Sequence, residues 1–373
     1  MRGTVTKKRD RWYICYYVGK DINGKWKQKW EGSWDTKREA ERVLRLRIAE
    51  LESTFERKAD KSTTAVFLRH WLDTYCEPRL AQNTIRGYRV NVEKHIAPYI
   101  GQIQLDRLQP KDIQSLYAAL SRKGLSGTSI RYVHNNLHKA LSYAVKHELI
   151  VRNPADLVDI PKINRYEAQT LTPEQVIKLL QECSGQDIYL PVMLAVTLGL
   201  RRGEALGLQW DDVDLSAGTV TIRHSANFNK GGFPLSSTKT QNSRRTLLLP
   251  DKLRIVFEST LSRQQNIAVF AGAGYNPYRL VCCRTDGLPL SSNALNHQFK
   301  AALERSSLPA IRFHDLRHTN ATLMLRNAVP AKIVSAMLGH SSIGITMDTY
   351  SHVITEMQEG AVNVMDNLLS GAC

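Results

Sequence analysis

The segment 311–352 restricts the fold most strongly, because it contains two short helical patterns that are separated by Pro330 and closed by Gly339. Proline interrupts a helix, and glycine suits the left-handed turn that follows one. Four polar side chains are spaced along this framework: His314, Arg317, His340 and Tyr350. His314 and Arg317 are three residues apart and would share one face of a helix. We therefore expect a compact helical site in which the four side chains meet.

These residue types together indicate a phosphate site. Arginine holds phosphate oxygens through paired hydrogen bonds, histidine transfers protons near neutral pH, and tyrosine can act as a nucleophile. Tyr350 lies in a polar stretch, TMDTYSH, so its ring is not expected in the core. Taken singly, His314 and Arg317 would indicate a pair on a helix surface, His340 a residue at a helix C-cap, and Tyr350 a ring that packs against its neighbours. Their combination is far more specific.

Two motifs resemble those of the tyrosine recombinases, the phage integrase family. The C-terminal one combines His-Asp-Leu-Arg at 314–317 and Leu-Gly-His at 338–340 with Tyr350. The other is Gly-Leu-Arg-Arg-Gly-Glu at 199–204, where one extra residue separates Thr197 from the glycine. The resemblance implies an enzyme that breaks and rejoins DNA without a metal or other cofactor, through a 3′-phosphotyrosine link. A site built from cations fits this chemistry, since a two-metal nuclease needs several carboxylates.

The resemblance also assigns roles to individual residues. The implied catalytic set is Arg201, Lys239, His314, Arg317, His340 and the nucleophile Tyr350, with Glu204 as a buried partner of Arg201. The arginines would bind the phosphate, and His314 would lie near Tyr350 to accept its proton or bond a phosphate oxygen. The lysine would protonate the departing 5′-oxygen from a β-hairpin. Lys239 precedes Thr240, as in the family motif, and Lys230 is the alternative.

Composition points to the same kind of partner. The 373 residues carry a net charge of +16, which favours a polyanion such as nucleic acid or an acidic membrane. No apolar run approaches the ~20 residues that span a bilayer, and the N-terminus lacks the apolar core of a signal peptide. The six cysteines show neither metal spacing nor an evident disulfide pattern. These features predict a cytoplasmic nucleic-acid-binding protein with reduced thiols, and the family resemblance implies that it acts on DNA in a bacterial cell.

Residues 1–60 are predicted to form a small β-sheet and a helix that bind DNA. Alternating apolar residues at 11–18 indicate a strand, and a turn at 21–24 leads to Lys-Trp-Lys-Gln-Lys-Trp at 25–30, with an aromatic and a cationic face. A capping box at Thr36 opens a helix that runs to about residue 57. The pattern resembles the arm-binding domain of some integrases, although lysines could simply keep an exposed strand edge soluble. The predicted DNA contacts are Lys7, Lys8, Arg9, Lys25, Lys27 and Lys29.

Residues 62–152 are predicted to form a second, helical domain. Four helical patterns lie near 64–76, 83–97, 110–122 and 127–147. The bundle resembles the core-binding domain of the family, which implies DNA contacts through its basic outer faces, including Arg131 and Lys139. Residues 153–169 contain two prolines and mixed charge and are interpreted as a linker.

Residues 170–373 are predicted to form the catalytic domain, mixed in α and β, so that the whole chain is mainly α with small β-sheets. Thr172 opens its first helix with a capping box, and strand patterns follow Asp214. Apolar residues recur at helical spacing after Tyr350, which suggests a tail helix donated to a neighbouring protomer, although packing on the chain's own core would give the same pattern.

The resemblance implies double-stranded attachment sites and a homotetramer on DNA, with a host DNA-bending protein and a directionality factor as further partners. The leading interpretation is a site-specific integrase of a phage or mobile element. Two alternatives stay open at this point: a type IB topoisomerase-like enzyme, and a DNA-binding regulator without catalysis.

Overall fold

The computed structural model describes residues 3–20, 26–58, 61–163, 168–226, 235–237, 244–272, 274–350 and 370. Contacts between Cα atoms divide the chain into two compact units, 1–166 and 167–373. The first unit contains two separate hydrophobic cores, one beneath the N-terminal sheet and one inside a helical bundle.

The N-terminal sheet contains three antiparallel strands, β1 (Gly3–Lys8), β2 (Arg11–Lys20) and β3 (Trp26–Trp34), with β2 in the centre. The helix α1 (Lys37–Lys58) follows, and its first turn is capped by the Thr36 hydroxyl, which accepts a hydrogen bond from the backbone N–H of Glu39. Ile14 and Tyr16 of β2 are buried against this helix, as the alternating pattern predicts.

Lys29, on the cationic side of β3, is exposed but is engaged in an ion pair. Lys29 lies opposite Tyr16 in the register, so its side chain is on the helix-covered face of the sheet. Its amine forms an ion pair with Glu31 (2.7 Å), which also pairs with Arg47 of α1. Trp30 is on the other face and is half exposed, with the Lys8 amine 4.1 Å from its ring centroid. The open face therefore offers an aromatic residue and Lys8, whereas Lys29 is already neutralised.

The bundle contains four long helical segments, as the sequence predicts. Two of them continue from an α-helix into a π-helical stretch, and the last is the longest. The elements are α2 (Thr64–Trp71) continuing through Leu72–Cys76, α3 (Gln82–Val90) continuing through Asn91–Ile96, the short α4 (Ala97–Ile100), α5 (Pro110–Arg122) and α6 (Gly127–Lys146).

The apolar side of α6, which contains Ile130, Val133, Leu137, Leu141 and Ala144, is buried in the bundle core together with Trp71 and Tyr117. The Tyr117 hydroxyl is hydrogen-bonded to Nδ1 of the buried His134 (2.7 Å). The start of the segment interpreted as a linker also packs on the bundle, which differs from the expectation. Asn153 is buried and its amide donates to the His138 carbonyl (3.2 Å), because the segment returns along α6 before leaving the bundle.

The second unit is a mixed α/β domain that begins with α7 (Pro173–Cys183), which has the predicted capping box between Thr172 and Gln175. Its helices are α8 (Tyr189–Thr197), α9 (Arg202–Leu206), α10 (Asp251–Ala271), α11 (Ser292–Arg305), α12 (Asp315–Arg326), α13 (Ala331–Leu338) and α14 (Ile343–Thr349). Its strands are β4 (Val213–Asp214), β5 (Thr219–Ile222), β6 (His224–Ala226), β7 (Leu235–Ser237) and β8 (Arg245–Leu248).

The strands of this unit form two small antiparallel sheets, β4-β5-β8 and β6-β7. The apolar helix α8 is buried between two hydrophobic clusters and supports both the sheet side and the helical side of the domain. Among the described residues, no helix is both long and apolar enough to cross a membrane. The tail helix predicted after Tyr350 lies outside the described residues, apart from the single residue 370.

Candidate active site

Arg317 lies on the first turn of α12 and is buried, with 3% of its surface exposed. Its guanidinium donates to the Gly199 carbonyl (2.7 Å) and to the Leu338 carbonyl (2.6 Å). Gly199 has a φ of 63°, and a Cβ atom there would lie 2.4 Å from a methyl group of Leu338. Only glycine therefore allows the backbone before Arg201 to approach α13 closely enough for Arg317 to bridge the two segments.

Arg201 caps the short helix α9 and is tied to Glu204, as the sequence predicts. Its guanidinium donates to Glu204 (2.7 Å), and its backbone N–H donates to the other oxygen of the same carboxylate (3.0 Å). Glu204 is 3% exposed and also accepts a hydrogen bond from Arg245 of β8 (2.9 Å). Although burial favours the neutral acid, Arg245 and Arg201 hold the pKa of Glu204 below its usual value.

Three arginines converge on the C-terminal end of α13. Arg245 donates to the Met337 carbonyl (2.6 Å), Arg317 to that of Leu338 and Arg201 to that of Gly339 (3.1 Å). The last carbonyls of a helix have no partner within it and carry partial negative charge. The helix end therefore orients the three guanidinium groups and holds them close together.

His340 follows directly after this helix end, because Gly339 adopts the predicted left-handed conformation with a φ of 66°. Its Nδ1 atom is hydrogen-bonded to the Thr346 hydroxyl of α14 (2.8 Å). The second ring nitrogen is Nε2. Burial, together with Arg317 and Arg201, lowers the pKa of His340 to about 4. The imidazole is therefore neutral at pH 7.

Tyr350 is buried, with 2% of its surface exposed, although its polar neighbours predict otherwise. The ring packs in a hydrophobic cluster with Leu325 of α12 and with Val334 and Leu338 of α13. Burial raises the pKa of the Tyr350 phenol to about 12, against the opposing effect of Arg317. The hydroxyl is therefore fully protonated in this state.

The hydroxyl of Tyr350 is hydrogen-bonded to Nδ1 of His318 (2.8 Å), a residue that the sequence analysis did not select. His314, which was expected beside the tyrosine, lies before α12 with an exposed side chain, and its ring meets that of His318 edge-on at 5.4 Å between centroids. His318 follows Arg317 and is four residues from His314. The spacing of the two histidines on one helical face was the signal that could have identified it.

The remaining predicted site residues are less defined. Lys239 and its alternative Lys230 lie outside the described residues, as does Lys25. In the bundle, Lys139 is exposed with its amine 5.7 Å from the ring centroid of Tyr88, whereas Arg131 is half buried and turned towards the Pro161 carbonyl (3.4 Å). Lys7, Lys8, Arg9 and Lys27 are exposed. Within the described part of the chain, no cluster of three or more His, Cys, Asp or Glu residues could hold a metal ion.

The lowered pKa of His340 predicts that the second unit loses stability in acid. The unfolded chain has a histidine pKa near 6.5, so between about pH 6.5 and 4 it binds more protons than the folded state does. The stabilisation is fully present above pH 6.5 and is lost as the pH falls towards 4, by at most ~3 kcal/mol. Calorimetric unfolding at pH 7, 5.5 and 4.5 measures this loss.

The matching variant is His340→Gln. Its free energy of unfolding should change less with pH over the same range than that of the wild type. An equal loss of stability in both proteins would assign the acid sensitivity to other groups. His314 contributes less: partial desolvation and the nearby His318 and Arg317 lower its pKa, but the side chain is largely exposed and water screens these effects.

Profiles of known families match each part of the chain. A profile of the phage integrase family matches residues 169–357, which is more than half of the chain. Profiles of the N-terminal SAM-like domain of phage integrases and of an arm DNA-binding domain match residues 63–121 and 4–51.

Relatives and solved structures point the same way. A tyrosine recombinase XerC-like protein of Caldanaerobacter subterraneus subsp. tengcongensis is 28% identical, over 98% of both chains. The fold resembles the Tn1549 transposon integrase in complex with transposon right end DNA (TM-score 0.69, 20% identity, 80% of this chain and 99% of that one). It also resembles a lambda integrase tetramer bound to a Holliday junction (TM-score 0.60, 22% identity, 91% of this chain and 95% of that one). The chain therefore belongs to the phage integrase family, the tyrosine recombinases that cut and rejoin DNA in site-specific recombination.

Proposed function

We propose that this recombinase cuts DNA with Tyr350 and holds the cut end as a 3′-phosphotyrosine. The observation that supports the assignment is the position of Leu338. Its side chain packs with the Tyr350 ring, and its carbonyl orients Arg317. Leu338, at the end of α13, therefore contacts both the proposed nucleophile and the arginine proposed to bind the phosphate.

In this mechanism Arg201 and Arg317 bind the non-bridging oxygens of the scissile phosphate and stabilise the charge of the transition state. His340 donates a further hydrogen bond from Nε2, since its Nδ1 is engaged with Thr346. His314 bonds a phosphate oxygen from the exposed side of the site. Because hydrogen bonds from preorganised donors need no rearrangement during the reaction, this set supplies the electrostatic part of catalysis.

Lys239 completes the mechanism as the acid that protonates the departing 5′-oxygen. The covalent link keeps the energy of the phosphodiester bond, so the same site can rejoin the strand when another 5′-hydroxyl attacks. We infer that two cleavages in a homotetramer produce strand exchange, with the tail after Tyr350 joining protomers. A host DNA-bending protein and a directionality factor would control the outcome in the bacterial cytoplasm.

The domain assignment follows from the same proposal. Residues 1–60 bind arm sites, and the contacts to DNA come from Lys7, Lys8, Arg9, Lys25 and Lys27. Lys29 contacts DNA only if the DNA displaces Glu31 from its ion pair with this lysine. The bundle, 62–152, grips the core site and uses Lys139 more directly than Arg131. The catalytic domain, 170–373, carries the chemistry, and residues 153–169 link it to the bundle.

A nicked suicide substrate tests the assignment. The wild-type protein is incubated in EDTA with DNA that carries a candidate core site and a nick near the cleavage point, so that the released fragment cannot religate. We expect a covalent protein–DNA band on a denaturing gel, and phosphopeptide mapping that places the link on Tyr350. Tight binding without a band on native attachment-site DNA would instead indicate a DNA-binding regulator.

A further inference from the structure

We propose that His318 is the group that accepts the hydroxyl proton of Tyr350 while the bond to phosphorus forms. The inference rests on the proposed nucleophile and identifies a residue outside the set that the family motifs supply. Its basis is the 2.8 Å hydrogen bond between the hydroxyl oxygen and Nδ1 of His318.

The burial of Tyr350 makes this contact decisive. Only 2% of the residue is exposed, so bulk water is not positioned to take the proton in this arrangement. The ring of His318 lies 5.7 Å from that of Tyr350 and 5.4 Å from that of His314, between centroids. His318 therefore contacts both the exposed histidine and the proposed nucleophile.

The surroundings of His318 suit a neutral base. Burial lowers its pKa, as do the charges of Arg317 and Arg312, so the imidazole is unprotonated near pH 7. Asp315 is fully buried one turn away and favours the imidazolium once it forms. The titratable and charged groups around His318 are Arg312, His314, Asp315, Arg317, His340 and Tyr350.

The step balances as a transesterification. The Tyr350 oxygen bonds to phosphorus, the bond from phosphorus to the 5′-oxygen breaks, and the phenolic proton moves to Nδ1 of His318, whose Nε2 already carries a proton. The leaving 5′-oxygen takes its proton from the acid proposed above, Lys239. Because the Tyr350 pKa is about 12, the transfer occurs only as bonding to phosphorus makes the phenol more acidic. Religation returns the proton from the imidazolium to the tyrosine.

The test is single-turnover cleavage of the suicide substrate by His318→Asn and His318→Ala. Asparagine can keep a hydrogen bond to the hydroxyl but is not a base, so both variants should cleave roughly 100- to 10,000-fold more slowly. Binding to the intact site should stay within about twofold. His134→Asn is the matched control, because Nδ1 of His134 makes the same contact with a buried tyrosine, Tyr117, in the other unit. This variant should cleave the substrate at the wild-type rate.

A second measurement separates a base from a structural support. Tyr350 is replaced in each protein by a fluorotyrosine with a more acidic phenol. If His318 accepts the proton, wild type should exceed His318→Asn in cleavage rate by a several-fold smaller factor with fluorotyrosine than with tyrosine. The factor by which wild type exceeds His314→Asn should be the same with both. A 5′-thio leaving group, which needs no proton, should leave the His318→Asn defect unchanged.

Three results would overturn the inference: cleavage by His318→Asn within about threefold of wild type, a defect that does not respond to the fluorotyrosine, or faster cleavage in the variants. Faster cleavage would mean that His318 restrains the tyrosine. Failure of the proposed nucleophile itself is a different outcome, since the wild-type protein would then form no covalent band.

Discussion

Tyr350→Phe should bind its DNA site as tightly as the wild type and form no covalent complex. The ring is held by Leu325, Val334 and Leu338, and phenylalanine fills the same space. Only the oxygen is lost, and with it the attack on phosphorus and the hydrogen bond to His318. The lost hydrogen bond should change the free energy of unfolding by no more than about 1–2 kcal/mol. Gel mobility shift measures the binding, and the suicide substrate measures the cleavage.

The chain provides a close control for this variant. Tyr117 is also buried and is hydrogen-bonded to a histidine Nδ1 at 2.7 Å, but it lies in the helical bundle. Tyr117→Phe makes the same chemical change with the same expected effect on stability, and it should keep forming the covalent complex. A covalent band from Tyr350→Phe would assign the nucleophile to another residue.

The helical framework of this protein could be predicted because its signals are local. The four helices of the bundle follow apolar stripes of helical period. The caps at Thr36 and Thr172, and the left-handed turn at Gly339, each depend on residues within a few positions. The ion pair between Arg201 and Glu204 was predictable for the same reason.

The missed features depend on contacts between distant parts of the chain. His318 meets Tyr350 across 32 residues, and Arg245 meets Glu204 across 41 residues. The spacing of His314 and His318 could have made His318 a candidate, but no local pattern shows that either pair is in contact. The burial of Tyr350 was also missed, because polar neighbours in the sequence do not mark an exposed surface here: Thr346 of α14 is itself fully buried. Whether the ring is inside depends on how α12 and α13 pack, which the local pattern does not show.

Of the substitutions considered, Glu204→Ala should lower the free energy of unfolding most. The Glu204 carboxylate forms ion pairs with two arginines, and a third arginine, Arg317, is buried in the same site. Arg201 and Arg245 would lose their shared counter-charge, and the mutual repulsion of the three guanidiniums would no longer be offset. Breaking a buried ion pair by removing one partner costs about 3–5 kcal/mol. Cleavage should fall with stability, because Arg201 would also lose two of the hydrogen bonds that orient it.

Two variants make this prediction specific. Glu204→Gln keeps the shape and part of the hydrogen bonding but removes the charge, so its loss of stability should be intermediate. Glu182→Ala removes the carboxylate of a more exposed pair with Arg305 in the same domain and should cost at most about 1 kcal/mol. Calorimetric unfolding of the three proteins gives the comparison. A loss from Glu204→Ala as small as that from Glu182→Ala would mean that the helix-end carbonyls, and not the carboxylate, hold the arginines in place.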